Sequence, residues 1–425
     1  MTFETVFTMD TSSIKVGRGA TRELGHDMRA LGARRVLLLT DPNVARTPAA
    51  AVAMDSLRAA RIDTVLYDRV RVEPTDQSFK EASAVAADGN FDGFAAVGGG
   101  SVIDTAKAAN LYATYPADFL EYVNAPIGRG MPVPGKLKPL IAVPTTAGTG
   151  SETTGVAIFD LSALHVKTGI AHRALRPTMG IIDPDNTATM PPLVAACSGL
   201  DILCHAVESL TALPFHQRPA PESPALRPSY QGSNPISDIW AAKAIALTAQ
   251  YLVRSMHDPS DVEARENMLL AATYAGIGFG NSGVHLPHGM SYPVAGMVRA
   301  FHPEGYAIDH PLVPHGMSVI LNAPAVFRFT AQANPARHLY AAQLMGSDVR
   351  DASPDDAGEI LAQAFIRIMQ ATGMPNGLSA IGYTEADVEA LADGTLPQHR
   401  VTKLSPRPAS RDDLIHMFRD ALRCW

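Results

Sequence analysis

Up to Asp183-Pro184, short apolar runs alternate with helix-like segments. Arg35 to Thr40 (RVLLLT) is one run, and it stops at the turn signal Asp41-Pro42-Asn43. Phe91 to Val97 (FDGFAAV) is a second, stopping at Gly98-Gly99-Gly100-Ser101. Leu140 to Val143 (LIAV) is a third, stopping at Pro144-Thr145-Thr146. Ala20 to Leu31 and Phe79 to Ala87 read as helices between them. Alternation of this kind builds a parallel sheet, because a crossover helix returns the chain to the same strand direction. Ligands collect where such strands end, and each run ends in small or polar residues.

Beyond Asp183-Pro184 the pattern is helical. Val194 to Leu210, Ile236 to Arg254, Val262 to Gly278 and Asp355 to Gln370 are amphipathic over helical lengths. Pro214, Pro219, Pro221, Pro224, Pro228 and Pro235 crowd one stretch, which predicts an irregular loop from Leu213 to Pro235. The prediction is an α/β domain with a parallel, Rossmann-like sheet over residues 1–186, then an all-helical domain over 187–425. Two domains also suit 425 residues, since single cores stop growing near about 250–300.

Charge and composition exclude several classes. The net charge is −7, from 35 basic and 42 acidic residues, so the basic footprint of a nucleic-acid binder is absent. No apolar run reaches the ~18–20 residues of a membrane span. The start, MTFETVFTMDTSS, has neither the basic opening nor the apolar stretch of a signal peptide. A cytoplasmic location is therefore expected. Cys197, Cys204 and Cys424 are too few for a disulfide scaffold.

Gly98 to Ser101 follow a strand and precede a helix, Val102 to Tyr112. Glycines without Cβ atoms let backbone approach a diphosphate, and N–H groups at the helix start face that anion. Asp104 and Lys107 on this helix suit the order of its dipole. Gly17-Arg18-Gly19 lacks the third glycine of a dinucleotide fingerprint and reads as a β-turn. Asp41 ends a strand, where a carboxylate either accepts from a ribose or closes a turn. Thr145 to Thr154 (TTAGTGSETT) form a hydroxyl-rich loop after the third strand, suited to phosphate or amide groups.

Asp201 and His205 stand four apart in GLDILCHAVES, on one helix face. Two His-Gly-Met steps, at His288 and His315, add imidazoles from separate segments. One carboxylate with three imidazoles suits Fe2+ or Zn2+ and disfavours Ca2+ and Mg2+. Spacing does not choose between His285 and His288. With a nucleotide turn in the neighbouring domain, a Lewis-acid metal implies hydride transfer at a cleft.

Taken together, GGGSVIDTAKA, VPTTAGTGSETT, GLDILCHAVES, HGMSYP and PHGMS resemble the iron-containing (group III) alcohol dehydrogenase family, from about Ile14 to the C-terminus. That resemblance implies an α/β nucleotide domain and an all-helical metal domain. It implies Asp201, His205, His288 and His315 as metal ligands, leaving His285 a bystander. Gly98, Gly99, Gly100 and Ser101 correspond to its pyrophosphate loop, Asp41 to its ribose residue, and Thr145 and Thr146 to its cofactor loop. Lys167, in HVKTGI, matches a position near the nicotinamide. The cofactors implied are NAD and a divalent metal, Fe2+ before Zn2+.

YQGSNPISDIWA, DHPLVPHGMSV and GTLPQHRVTKLSPRP resemble one branch of that family. Its members oxidise 4-hydroxybutyrate to succinate semialdehyde and reduce 2-oxoglutarate to D-2-hydroxyglutarate, with the nicotinamide kept bound. The partners implied are small hydroxyacids and oxoacids, with no nucleic acid, no membrane and a homo-oligomer of two or more chains. Tyr292 stands where many family members carry a second histidine (HGMxHP), which makes its phenol a candidate catalytic group beside Lys167. Arg218 and Arg227 in the Pro-rich loop are candidates for binding substrate carboxylates. A plain NAD-dependent alcohol dehydrogenase or a maleylacetate reductase is the nearest alternative. A lyase resembling the dehydroquinate synthases and a non-enzymatic NAD-binding protein stand further off.

Overall fold

Strands come first in the chain: β1 (Ser13–Val16), β2 (Arg35–Leu39), β3 (Asp63–Tyr67), β4 (Gly93–Gly98), β5 (Leu140–Pro144), β6 (Val156–Leu161), β7 (Val166–Ala171) and β8 (Met179–Ile182). Six of them form a parallel sheet in the order β1-β8-β5-β4-β2-β3. The remaining two, β6 and β7, make an antiparallel hairpin. The computed structural model describes residues 2–164, 166–308 and 310–425, so the first residue of the stretches HVKTGI and DHPLVPHGMSV lies outside the described residues.

Period-two alternation explains why the β2 run is apolar throughout. Val36 and Leu38 pack into one cluster with Leu24, Met28 and Leu57. Leu37 and Leu39 enter another with Phe94, Val102 and Ile103. Both faces of the sheet are covered, as parallel sheets require. Register then sets the two loops of interest side by side: Gly98, ending β4, pairs with Pro144, ending β5.

The chain divides into two units, residues 11–190 and residues 1–10 with 191–425. The predicted boundary put the first residues with the sheet. Hydrogen bonds place them with the helices instead. Thr8 N–H donates to Gln231 Oε1 at 2.9 Å, and Asp10 N–H to Asn281 Oδ1 at 2.9 Å.

The second unit is largely helical, as predicted. Pro192–Thr211, Pro235–His257 and Val262–Ser282 pack against one another. Gly199 permits that packing, since a Cβ there would stand 2.2 Å from Leu252 Cδ1. Pro192–Thr211 is long and apolar enough to cross a membrane, yet it is mostly buried and carries Asp201, His205 and Glu208. The Pro-rich stretch contains two single-turn 3-10 helices, Phe215–Gln217 and Pro224–Leu226.

Candidate active site

Three helices bring the predicted ligands together. Asp201 and His205 lie one turn apart on Pro192–Thr211, His288 on Leu286–Gly296, and His315 opens His315–Ile320. One ligand atom from each lies within 4.8 Å of the others. Asp201 Oδ1 is 3.5 Å from His288 Nε2 and 3.7 Å from His315 Nε2. Donors about 2.1 Å from a tetrahedral ion stand about 3.4 Å apart, so these spacings fit one. Asp201 Oδ1, His205 Nδ1 and His288 Nε2 are buried with no hydrogen-bond partner. Unpaired buried atoms facing one another are costly unless a cation joins them. The residues therefore fit a divalent metal.

The surroundings sharpen that fit. His205 stacks on Phe279, with centroids 3.9 Å apart, which fixes its plane. Burial pushes the His205 imidazole down to about 3, so it stays in the neutral, ligating form. Burial would also lower His288, but Glu208 and Asp201 raise it to about 10, which reports the negative potential a cation would meet. Gly316 follows His315 because a Cβ there would fall 1.9 Å from the Cys197 carbonyl oxygen. His315 is the most exposed of the four, which leaves the open side of the group there.

Glu208 was missed in the sequence. It is fully buried, and its Oε2 bonds His288 Nδ1. Its Oε1 accepts from the N–H groups of His285 and His288, at 3.0 and 3.1 Å. A carboxylate on the far nitrogen fixes tautomer and ring orientation in a metal-ligating histidine. A signal existed: Glu208 lies three after His205 and seven after Asp201, along the same helix face. His285 is outside the group, with Nε2 3.0 Å from Thr211 Oγ1. Burial lowers it to about 4.

The glycine turn is built as the sequence suggests, with the helix Gly100–Thr114 starting inside it. The three glycines have different reasons. A Cβ at Gly98 would stand 2.4 Å from Val102 Cγ2, and one at Gly100 2.6 Å from Thr149 Cγ2. A Cβ at Gly99 would meet only the Thr146 side chain, at 3.1 Å. Gly98 and Gly100 thus serve packing, while Gly99 keeps backbone bare at the first turn of a helix whose N–H groups await partners. Thr145 N–H donates to the Gly98 carbonyl at 3.1 Å and holds the two loops together. A bare turn beside a hydroxyl-rich loop fits a diphosphate.

Asp104 and Lys107 do something other than follow a dipole. Lys107 is fully buried, and its Nζ donates to Ser151 Oγ at 2.5 Å and the Val156 carbonyl at 2.7 Å. Asp104 Oδ2 accepts from Ile158 N–H at 2.9 Å. The pair fastens the helix to the TTAGTGSETT loop and β6.

The remaining predicted residues are engaged as follows. Asp41 Oδ1 accepts from Asn43 and Val44 N–H, at 2.9 and 3.1 Å, closing its turn. Lys167 is buried on β7, 2.6 Å from Glu73 Oε2 and 3.1 Å from Asp160 Oδ1. Burial would lower its pKa, but Asp160 and Glu73 raise it above the ordinary value. Glu73 N–H in turn donates to Ser101 Oγ at 3.1 Å, linking Lys167 to the glycine turn. Arg227 pairs with Glu4 at 3.0 Å, and Arg218 donates to the Tyr230 carbonyl at 2.9 Å. Both arginines of the Pro-rich loop thus have partners within the protein. Tyr292 is buried, and its hydroxyl accepts from Arg400 Nη2 at 2.6 Å.

A parallel-sheet unit with a glycine turn at the end of β4, and a helical unit enclosing one aspartate and three histidines, are the parts a metal- and nucleotide-dependent oxidoreductase needs. Residues 11–184 match the family described as iron-containing alcohol dehydrogenase, and residues 229–422 match its C-terminal counterpart. The chain belongs to the iron-containing alcohol dehydrogenase family. Within it, the chain is 56% identical to the mitochondrial hydroxyacid-oxoacid transhydrogenase of Bos taurus, over 100% of this chain and 91% of that one. The Homo sapiens enzyme of the same name is 55% identical over the same shares. The probable transhydrogenase of Dictyostelium discoideum is 51% identical, over 99% of this chain and 79% of that one. Among solved structures, a 1,3-propanediol oxidoreductase superposes with TM-score 0.85 at 28% identity, covering 98% of this chain and all of the other. An iron-containing alcohol dehydrogenase from Thermococcus thioreducens gives 0.81 at 27%, covering 98% and 99%.

These relatives correct one expectation. The transhydrogenases are mitochondrial proteins, which overturns the cytoplasmic location. That expectation rested on a missing signal peptide and membrane span, and neither absence says anything about import into an organelle.

Proposed function

We propose that this chain is a hydroxyacid-oxoacid transhydrogenase, taking hydride from 4-hydroxybutyrate and delivering it to 2-oxoglutarate through NAD that stays bound. The observation carrying the chemistry is the convergence of Asp201, His205, His288 and His315 on one point. Likeness to curated transhydrogenases along the whole chain supports the substrate class.

Asp201, His205, His288 and His315 would hold the metal, with Fe2+ the ion and Zn2+ the second choice. When bound, the ion supplies a Lewis acid that favours alkoxide over alcohol and polarises a carbonyl, while NAD carries the hydride. Glu208 holds His288 in the tautomer that turns Nε2 toward the ligand group. Gly99, with Ser101, Thr145 and Thr146 around it, would cradle the diphosphate. Asp41 would accept from the ribose. Lys167, fixed between Glu73 and Asp160, positions the glycine turn through Glu73 and Ser101. Tyr292, four residues after His288 on one helix face, would supply a hydroxyl to the substrate. The proposal includes a homo-oligomer, supported by Ile236 and Ile239 standing exposed one turn apart on Pro235–His257.

Transfer without free cofactor is the test. Metal-loaded protein carrying NAD is given 4-hydroxybutyrate deuterated at the carbinol carbon, together with 2-oxoglutarate. Deuterium should appear at C2 of 2-hydroxyglutarate, undiluted by solvent. Strict dependence on added NAD, with NADH released each turnover, would leave a plain dehydrogenase.

A further inference from the structure

Arg400 is half-buried, and its guanidinium turns inward. Its Nη2 donates to Tyr292 Oη at 2.6 Å, and its guanidinium carbon lies 5.1 Å from the centre of the Tyr230 ring. Its Nη1 is shut off from solvent and has no hydrogen-bond partner. Among the described residues no carboxylate stands within ion-pair distance of it. Several other arginines of the helical unit have acids: Arg227 has Glu4, Arg254 has Asp261 and Glu263, Arg337 has Asp238. Tyr292 and Tyr230 partner the rest of the guanidinium, but a buried donor without an acceptor is costly, so a ligand oxygen that reached Nη1 would be favoured.

Intervening side chains connect it to the ligand group. Tyr292 lies one helical turn beyond His288. Tyr230 packs edge-on to Phe279, with centroids 6.4 Å apart, and Phe279 stacks on His205. Gly283, at φ +96°, lets the chain pass where a Cβ would meet Leu404 and Tyr230. The Tyr292 oxygen accepts from Arg400, so its own proton remains for a second acceptor. One guanidinium N–H and one phenol O–H are thus offered side by side, the pattern a carboxylate accepts.

We propose that Arg400, with Tyr292, binds the carboxylate of both the hydroxyacid and the oxoacid. This inference rests on the transhydrogenase reading. It moves the anchor from Arg218 and Arg227, which are bonded within the protein, to a residue the Pro-rich loop does not contain. The carboxylate binds without bond-making, and a single anchor presents either acid to the ligand group with its far end fixed.

The test compares 4-hydroxybutyrate with 4-hydroxybutyramide, which differ only in the charged end. The readout is the ratio of their kcat/KM values in wild type, Arg400→Leu, Arg400→Lys and Tyr292→Phe, with NAD supplied. Arg400→Leu deprives only the acid of a charge-assisted hydrogen bond, so the ratio should fall at least about tenfold. Arg400→Lys should recover part of it, and Tyr292→Phe should lower it less. A general folding defect lowers both substrates and leaves the ratio unmoved. Calorimetric binding of succinate, which does not react, should weaken in the same order. An unchanged ratio with unchanged succinate binding overturns the anchor. Isotope transfer between acids is read separately: its absence with an intact Arg400 effect removes the transhydrogenase reading and keeps the anchor. If wild type uses neither acid, both fall.

Discussion

Lys107 Nζ donates to Ser151 Oγ at 2.5 Å, across forty-four residues of sequence. The two motifs most suggestive of a nucleotide site, GGGSVIDTAKA and VPTTAGTGSETT, are bolted to each other at this contact. Asp104 completes the junction, 3.2 Å from Lys107 Nζ. Burial lowers the Lys107 pKa and Asp104 opposes that, so the ammonium depends on this partner.

Lys107→Met should therefore uncouple the loops. Removing one member of a buried pair costs about 3–5 kcal/mol, because the other is left uncompensated. Denaturant unfolding should register that loss, and NADH titration should show weaker binding. A variant as stable as wild type would refute the junction.

Glu208→Gln tests the carboxylate behind His288. The amide keeps only one of the two acceptor positions, so either His288 Nδ1 or the N–H groups of His285 and His288 lose their partner and some stability should be lost as well. Metal affinity should fall about 10–100-fold, the usual effect of losing such a partner. Competition against a chelator measures it directly.

His288→Ala and His285→Ala should separate cleanly. The first removes one of four converging atoms, so metal content and turnover should fall together. The second removes a ring bonded to Thr211 and should lower stability by roughly 1–3 kcal/mol with metal retained. Metal analysis of the purified variants, beside their melting curves, decides between the two histidines.

At the glycine turn, position 98 should report on packing and position 99 on ligand. Gly98→Val collides with Val102 and should lower Tm sharply. Gly99→Val faces only the Thr146 side chain, so Tm should change little while NADH binding weakens at least about tenfold. Equal losses of Tm in both variants would contradict this division.

Asp41→Asn keeps an acceptor for Asn43 and Val44 N–H but removes the charge. Its preference for NAD over NADP should relax at constant stability, because the acid no longer repels a 2′-phosphate. Asp41→Ala should also lose about 1 kcal/mol from the unsatisfied turn. Paired cofactor titrations and melting curves separate the two effects.

Local pattern made much of this protein legible. Val36 to Leu39 alternate between two cores, so an unbroken apolar run already meant a sheet covered on both faces. Asp201 and His205 share a helix face by spacing alone, and Glu208 extends the same face, although nothing in a lone glutamate marks it as the partner of a distant histidine. The hairpin of β6 and β7 was not legible, because β7 (VKTGIA) shows no clean alternation to pair with the apolar run of β6 (VAIFDL).

What the sequence determined by itself was whatever lies within a few residues along the chain: the parallel α/β order, the glycine turn, the aspartate and histidine one turn apart. Those follow from helix and strand periods, which depend only on neighbouring residues. The tertiary structure alone decided that His288 joins the ligand group while His285 turns to Thr211, that Lys107 clamps two motifs, and that Arg400 ends beside Tyr292. Those choices join segments tens to more than a hundred residues apart. They are made by how helices and loops pack, by bare glycines that allow close approach and by buried groups that must find partners, none of which a spacing records.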